Sequence, residues 1–462
     1  MRMFLVILLA AGVLSDEGVQ TPSPPIFDLV FGKPGAPGAG GYPALAQAVP
    51  VTPVNPLNQT SMDFEDDDLL DDYIPGEADY DKFDLALTKR IASRSSENFM
   101  ISPLGLKLSM AILDEAATGA TQRELDQVLD FDSDKTMLRK KFLRILGSLQ
   151  TKSSRYILNL GSRIYVGNQT EVSQRFASIA LESYKTEIMN LDFSSPKVAS
   201  RSINEWVANN TEGRITELVD EDDVAGAILL VINTLFFKGT WRYQFFPNDT
   251  KSGTFYVTPT LTKPTPFMTV KNKFYYAESQ RFNAKILRMP YVGNRFASYI
   301  VVPETLTGLD LIINDMTGLR AELLKLREHL VDVTLPKFRF EYTSLLDEVL
   351  KEMGIRHAFE DYASFPGISR GHYLPQRLKV SKVLQRSGIE VNELGSVAYS
   401  ATEISIVNKF GEETVSNAVV VANRPFLFFI QDEITKQLLF MGQLTDPTIS
   451  NVADKGTIKK VK

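Results

Sequence analysis

The chain has 462 residues, 44% of them hydrophobic, with no cysteine and a formal net charge of −6. Such a chain can bury a large core, and its length alone would allow two or three domains. The negative balance excludes a protein that binds nucleic acid through its overall field, and the missing cysteines exclude disulfides, so stability must come from packing.

In chain order, Arg2 precedes an apolar run from Met3 to Leu14, with Ser15 and Asp16 after it. The run is too short to span a bilayer and matches a secretory signal peptide over residues 1–15. The mature protein is therefore expected to be secreted and extracellular, with no membrane attachment. Asn-x-Thr sequons at Asn58, Asn168, Asn209 and Asn248 fit export and are candidate glycosylation sites. Residues 16–78 form an extension, first rich in Pro, Gly and Ala, which cannot build a core. It then turns acidic through Asp63, Glu65, Asp66, Asp67, Asp68, Asp71 and Asp72. Such a run is ordinarily a solvated tail; the alternative is a tethered ligand for a basic surface, on this protein or on a protease.

A globular body is expected over 79–447, then a basic tail over 448–462. Tyr80, Phe83, Leu87 and Ile91 make one face of a first helix. Ser102-Pro103 opens a second, a capping Ser with Pro at the first helical position, ending at Gly119, after which Thr121 can cap the next. From Lys135 to Gln150, Lys135, Arg139, Lys140, Lys141 and Arg144 alternate with apolar residues at helical spacing, so a basic face is available. The segment from Ser202 to Phe245 carries Asn204, Trp206, Asn209, Thr211, Gly213 and Ile215, then an apolar run from Ile228 to Phe237 that reads as a buried strand, with Lys238-Gly239 marking a turn before Trp241. Further blocks lie at Leu287–Tyr291, Val331–Glu341, Leu346–Phe359 and Asn423–Pro447.

Enzyme chemistry finds little to work with. The only histidines are His329, His357 and His372, none in a suggestive cluster, and there is no G-x-S-x-G, P-loop or H-E-x-x-H. No catalytic residue, metal or cofactor is expected.

The stretch from Ile389 to Gly411 is the unusual one. From Ser396 it alternates as a strand: Ser396, Ala398, Ser400, Thr402, Ile404 and Ile406 on one side, and Val397, Tyr399, Ala401, Glu403, Ser405 and Val407 on the other. The first set is uncharged, small and then apolar, so that face could be buried. The segment ends at Lys409-Phe410, the only Lys or Arg between Ser396 and Ala422, ahead of the polar turn residues up to Ser416 and two apolar strands. An edge strand is the plain reading.

Together these residues resemble the serpins, serine protease inhibitors, in family order from about Tyr80 to Pro447. The Glu390-Val391-Asn392-Glu393-Leu394-Gly395 start resembles the family's hinge, and the residues from Ser396 on resemble its reactive-centre loop. The resemblance implies an α+β fold of one domain, three β-sheets with eight or nine helices, and an exposed loop that a protease cuts and that then enters the main sheet as a strand. It implies that Glu393, Gly395, Ser396, Ala398 and Ser400 form the hinge, that Lys337 pairs with Glu393, and that Ser102, Asn233 and Gln385 form the polar set where the sheet opens, Gln385 standing where the family usually has histidine. Leu394, Val397 and Tyr399 depart from the usual hinge. Counting sixteen residues on from Glu393 puts the cut bond at Lys409–Phe410, which implies a trypsin-like serine protease as partner. Asn408, Lys409, Phe410 and Gly411 are similar to the activation site of arthropod prophenoloxidases, which implies a clip-domain protease of an insect haemolymph cascade, melanisation and innate immunity. In position the 135–150 helix is similar to the heparin-binding helix of some serpins, which implies a polyanion at Lys135, Arg139, Lys140 and Arg144. A monomer is expected. The alternatives are a non-inhibitory serpin acting as carrier or storage protein, and a glycosaminoglycan-binding matrix protein.

Overall fold

The structure, a computed structural model, describes residues 82–94, 96–149, 155–369, 378–396 and 417–454. Helix α1 (Lys82–Ala92) leads through strand β1 (Phe99–Ile101) into helices α2 (Pro103–Ala116), α3 (Gly119–Leu129) and α4 (Lys135–Leu149). Then come β2 (Tyr156–Gly167), α5 (Gln174–Tyr184), β3 (Glu187–Leu191), α6 (Pro196–Asn210), the single turn α7 (Glu221–Val224) and the central strand β4 (Leu229–Thr240). Strands β5 (Lys251–Tyr256), β6 (Thr262–Ser279), β7 (Ala284–Pro290) and β8 (Phe296–Pro303) precede α8 (Leu309–Asn314) and α9 (Met316–Leu323). After β9 (Arg327–Pro336), β10 (Phe338–Leu345) and α10 (Asp347–Met353) come β11 (Lys382–Val391) and β12 (Gly395–Ser396), and last β13 (Ala418–Val421), β14 (Phe426–Asp432), β15 (Leu438–Leu444) and β16 (Asn451–Asp454).

The strands form two hydrogen-bonded sheets among the described residues, where three were expected. A seven-stranded sheet runs β16-β10-β11-β12-β4-β2-β3, and a nine-stranded one runs β1-β15-β14-β8-β7-β6-β9-β13 with β5 on β6. The cause of the merger is β6: one unbroken strand of 18 residues pairs with β5 and β9 along its first part and with β7 along its last, so no gap divides the ladder. Ten α-helices are present among the described residues rather than eight or nine. One source of the excess is Asp315, which ends α8 and starts α9, its carboxylate accepting from Gly318 N at 3.1 Å.

Three apolar clusters hold the layers. The largest lies between the two sheets and takes α2, the odd-numbered residues Leu229, Val231, Leu235 and Phe237 of β4, and Phe428 and Ile430 of β14. Helix α2 is buried almost all round, as an apolar helix inside a large core must be. Ser102 caps it, its Oγ accepting from Gly105 N at 3.1 Å. The outer face of the nine-stranded sheet is covered by α8 and α9. Ala199, Ile203 and Val207 of α6 lie on Leu230 and Ile232, the other face of β4.

Two sequence expectations need correction. Thr121 does not cap α3 but is buried inside it; Thr118 occupies the cap position, with no side-chain bond to the helix, and its hydroxyl is 2.8 Å from Ser364 Oγ. Lys238-Gly239 is not a turn, because β4 runs on to Thr240 with partners on both edges: Tyr156 of β2 opposite Gly239 on one side, Ser396 on the other. No described helix is long and apolar enough to cross a membrane.

Candidate functional site

The site is a wedge in the seven-stranded sheet. Strands β4 and β11 pair in parallel from Leu230–Lys382 to Phe236–Gly388. Beyond that point they part, and β12 enters antiparallel to both, with Ser396 opposite Val391 on one side and Gly239 on the other.

The turn that sends the chain back is built on Asn392. Its Oδ1 accepts from the backbone N–H of Leu394 at 3.1 Å and of Gly395 at 3.2 Å, and its own N–H donates to Gly395 O at 3.0 Å. Trp241 fixes the turn from below, donating from its indole to Asn392 O at 3.1 Å and from its backbone to Leu394 O at 2.9 Å. Gly395 has φ of +152°, and a Cβ there would lie 2.1 Å from Gly239 O, so the backbone demands glycine.

Glu393 is nearly buried and anchors the turn. Lys337 Nζ lies 3.0 Å from its Oε1 and 2.9 Å from its Oε2, and Thr250 Oγ1 donates to Oε1 at 2.8 Å. Burial opposes ionisation of this carboxyl, but the hydrogen bonds from Lys337 and Thr250 outweigh it and hold the group below the usual carboxylate range.

Lower in the sheet a polar row crosses four strands in register: Ser344 of β10, Gln385 of β11, Asn233 of β4 and Ser162 of β2. All four are buried and face α2. Gln385 clasps Ser102, accepting from its N–H at 2.7 Å and donating Nε2 to its carbonyl at 3.0 Å. Ser109 donates to Asn233 Oδ1 at 2.8 Å and therefore accepts from Ser162, 2.7 Å away. Asn233 Nδ2 and Ser344 Oγ have no partner among the described residues, so the row is left with unspent hydrogen-bonding capacity. Sequence reasoning found Ser102, Asn233 and Gln385 but missed Ser109, Ser162, Ser344 and Thr250. Ser109 interrupts an apolar run, which is a signal; Ser162, between Gly161 and Arg163, and Thr250 give none.

Of the basic helix, two side chains turn inward. Arg139 makes a forked pair with Glu115 of α2 at 2.8 and 2.6 Å, and Tyr184 donates to the same carboxylate at 2.8 Å. Lys135 Nζ donates to Asp114 O and lies 3.8 Å from Asp114 Oδ2. Burial, only partly offset by Lys135 and reinforced by Asp126 and Glu115, pushes the Asp114 carboxyl up to about 7. Lys140, Lys141 and Arg144 are exposed. The expected polyanion face thus keeps only Lys140 and Arg144 of its four residues, because Lys135 and Arg139 are ion-paired with α2.

Asn168, Asn209 and Asn248 are all exposed, while Asn58 lies outside the described residues. So do Ala398 and Ser400 of the hinge and Asn408, Lys409, Phe410 and Gly411 of the loop; Ser396 is the last described residue before them. His329 packs edge-on against Tyr276, and His357 pairs with Glu124 beside Tyr362; His372 is outside the described residues.

A mixed fold whose main sheet is parted at one end around an incoming strand is the architecture of one class of protease inhibitor, and residues 78–447 match the serpin (serine protease inhibitor) family. The chain belongs to that family. It is 35% identical to "Serine protease inhibitor 2" of Anopheles gambiae over 376 residues, 79% of this chain and 91% of that one. It is 29% identical to "Serine protease inhibitor 42Dd" of Drosophila melanogaster over 77% of this chain and 93% of the relative. Among solved structures, Serpin48 of the insect Tenebrio molitor, described as a highly specific serpin, aligns with a TM-score of 0.70 at 28% identity, covering 79% of this chain and 96% of its own.

Proposed function

We propose that the chain is a secreted suicide inhibitor of trypsin-like serine proteases, cut at Lys409–Phe410. The observation that carries the reading is the wedge: Gly395 and Ser396 already sit between β4 and β11, in the register a further inserted strand would continue. Extending that register by sequence puts Ala398 level with Phe237 and Ile389, Ser400 with Leu235 and Ser387, Thr402 with Asn233 and Gln385, and Ile404 with Val231 and Val383. These β4 residues, Asn233 apart, belong to the central core, so the even-numbered face would enter it small residues first and apolar residues last. Thr402 would bring a hydroxyl level with the unpartnered Asn233 Nδ2.

The odd-numbered set would face α6. There Tyr399 would fall level with Phe236 and Gly388. A Cβ at Gly388 would meet only Glu341 Cγ, at 3.5 Å, so the missing side chain leaves room for the large ring. This supports insertion of the loop despite the departure that Tyr399 makes from the usual hinge.

In the reaction, the protease serine Oγ bonds to the Lys409 carbonyl carbon, the Lys409–Phe410 C–N bond breaks, and the new Phe410 amine takes its proton from the protease's general acid. Inhibition requires the freed strand to enter the sheet before water hydrolyses the ester. The Lys409 ammonium is the group an acidic specificity pocket would select. Insect relatives and the Asn408–Gly411 sequence support a protease of the prophenoloxidase-activating kind as the target, in haemolymph. Lys140 and Arg144 are the residues through which a polyanion would act.

The test is incubation of the mature protein with trypsin at near-equal ratio. A band at the summed mass that survives denaturation, with a released peptide beginning at Phe410, is expected. Quantitative cleavage with no such band would overturn inhibition in favour of a carrier serpin.

A further inference from the structure

The family match ends at residue 447, yet the chain returns to the fold beyond it. Asn98 fixes the exit, accepting at Oδ1 from Thr445 N at 2.7 Å and Asp446 N at 2.9 Å and donating Nδ2 to Asp446 O at 2.6 Å. Asp446 Oδ1 then accepts from Thr448 N at 2.8 Å and turns the backbone toward the seven-stranded sheet. Glu341 N donates to Ser450 O at 2.8 Å, and β16 runs parallel to β10, with Asn451 to Asp454 opposite Glu341 to Ser344.

Strand β10 needs a cover there. It pairs with β11 along its whole length, so its other edge would be the outermost one without β16. An unpaired edge is a template for another strand unless it is short, charged or covered. The first half of β10 carries Arg339 and Glu341, but Tyr342, Thr343, Ser344 and Leu345 bear no charge. Strand β16 pairs with Glu341 to Ser344, of which all but Glu341 lack charge. At the opposite edge β3 has five residues, begins with Glu187 and is largely exposed, so it is blunt by itself. As the new edge, β16 has four residues, ends in Asp454 and precedes Lys455.

We propose that β16 is a cover acting in cis: the C-terminal strand occupies a strand-addition surface on β10 that would otherwise accept an extended strand of a second copy of this chain. Residues 448–454 then keep the chain monomeric.

The test compares the full chain, Val452→Pro in the full chain, and a chain ending at Ser450. The Glu341 amide faces Ser450, and the strand period points that of Thr343 the same way. Both amides should exchange about ten-fold faster or more in the two variants. On mild heating the variants should form oligomers by light scattering that the full chain does not, and a synthetic peptide of residues 449–456 in excess should suppress them. Unchanged exchange in both variants, exchange that rises equally throughout β4 and β11, or variants that stay monomeric with β10 uncovered would each overturn the proposal.

Discussion

Lys337 and Glu393 share a bond that only one of them needs. Glu393 is nearly buried while the Lys337 side chain is 36% exposed, so removing the lysine leaves a carboxylate held by Thr250 and a backbone N–H, with no cation beside it. Lys337→Ala should therefore cost about 1–2 kcal/mol, discounted for the exposure of the lysine, and lower the calorimetric midpoint at pH 7 by a few degrees. An unchanged midpoint would show that the pair contributes nothing. The contribution of Glu393, whose carboxyl is held low, is present above its ordinary value of 4.5 and lost as pH falls through the folded value. Asp114 works in the opposite sense. Its carboxyl is raised from 3.8 to about 7, so the folded state holds the extra proton, and the stability it contributes is present below 3.8 and lost as pH rises to about 7. The midpoint of the wild type relative to Asp114→Asn should therefore fall across that window; a constant difference between pH 4 and pH 7 would refute the assignment.

At the level of elements, the wedge depends on two glycines for different reasons. Gly395→Ala places a Cβ 2.1 Å from Gly239 O and should unseat β12 from β4. Trypsin should then cleave the variant with a larger share of free product and a smaller share of stable complex, as read on denaturing gels. Gly388→Leu has its Cβ in ordinary contact with Glu341 Cγ in the resting sheet but would fill the position that Tyr399 would reach on insertion. Overpacking of this kind costs about 1–3 kcal/mol. The variant should melt near the wild type yet need several-fold more inhibitor per protease, and Tyr399→Ala in the same chain should restore the ratio. If the double variant inhibits no better than Gly388→Leu alone, Tyr399 does not insert there.

On the scale of the whole molecule, the proposed strand addition would replace the seven β4–β11 register pairs by pairing on both sides of a new strand, and would bury Ile404 and Ile406. Two such side chains contribute about 3–6 kcal/mol. The protein cut at Lys409–Phe410 should therefore melt about 10 °C higher or more than the intact one in a thermal scan. A midpoint that stays or falls after cleavage would mean that the loop does not enter the sheet.

Much of the molecule was legible from residue types and spacing. Phe83, Leu87 and Ile91 announced α1, Ser102-Pro103 the start of α2, and the apolar run after Ile228 the central strand; each rests on local periodicity or backbone preference. Spacing within the family's motifs pointed to Lys337, Glu393, Asn233 and Gln385. Other features were not legible, because they are set by contacts between residues far apart in the chain. The run of β4 through Lys238-Gly239 is decided by Tyr156 and Ser396 on its two edges, and local turn preference cannot see either. Lys135 and Arg139 read as a basic face until Asp114 and Glu115 of another helix claimed them. The merger of two sheets through β6 and the cover of β10 by β16 are matters of pairing between distant strands. By itself the sequence determined many of the elements and the family, since these depend on side-chain type and local order. Tertiary structure alone decided where the sheet is parted, which charges are already spent and which edge is covered, since hydrogen bonds and ion pairs are made between partners that only the fold brings together.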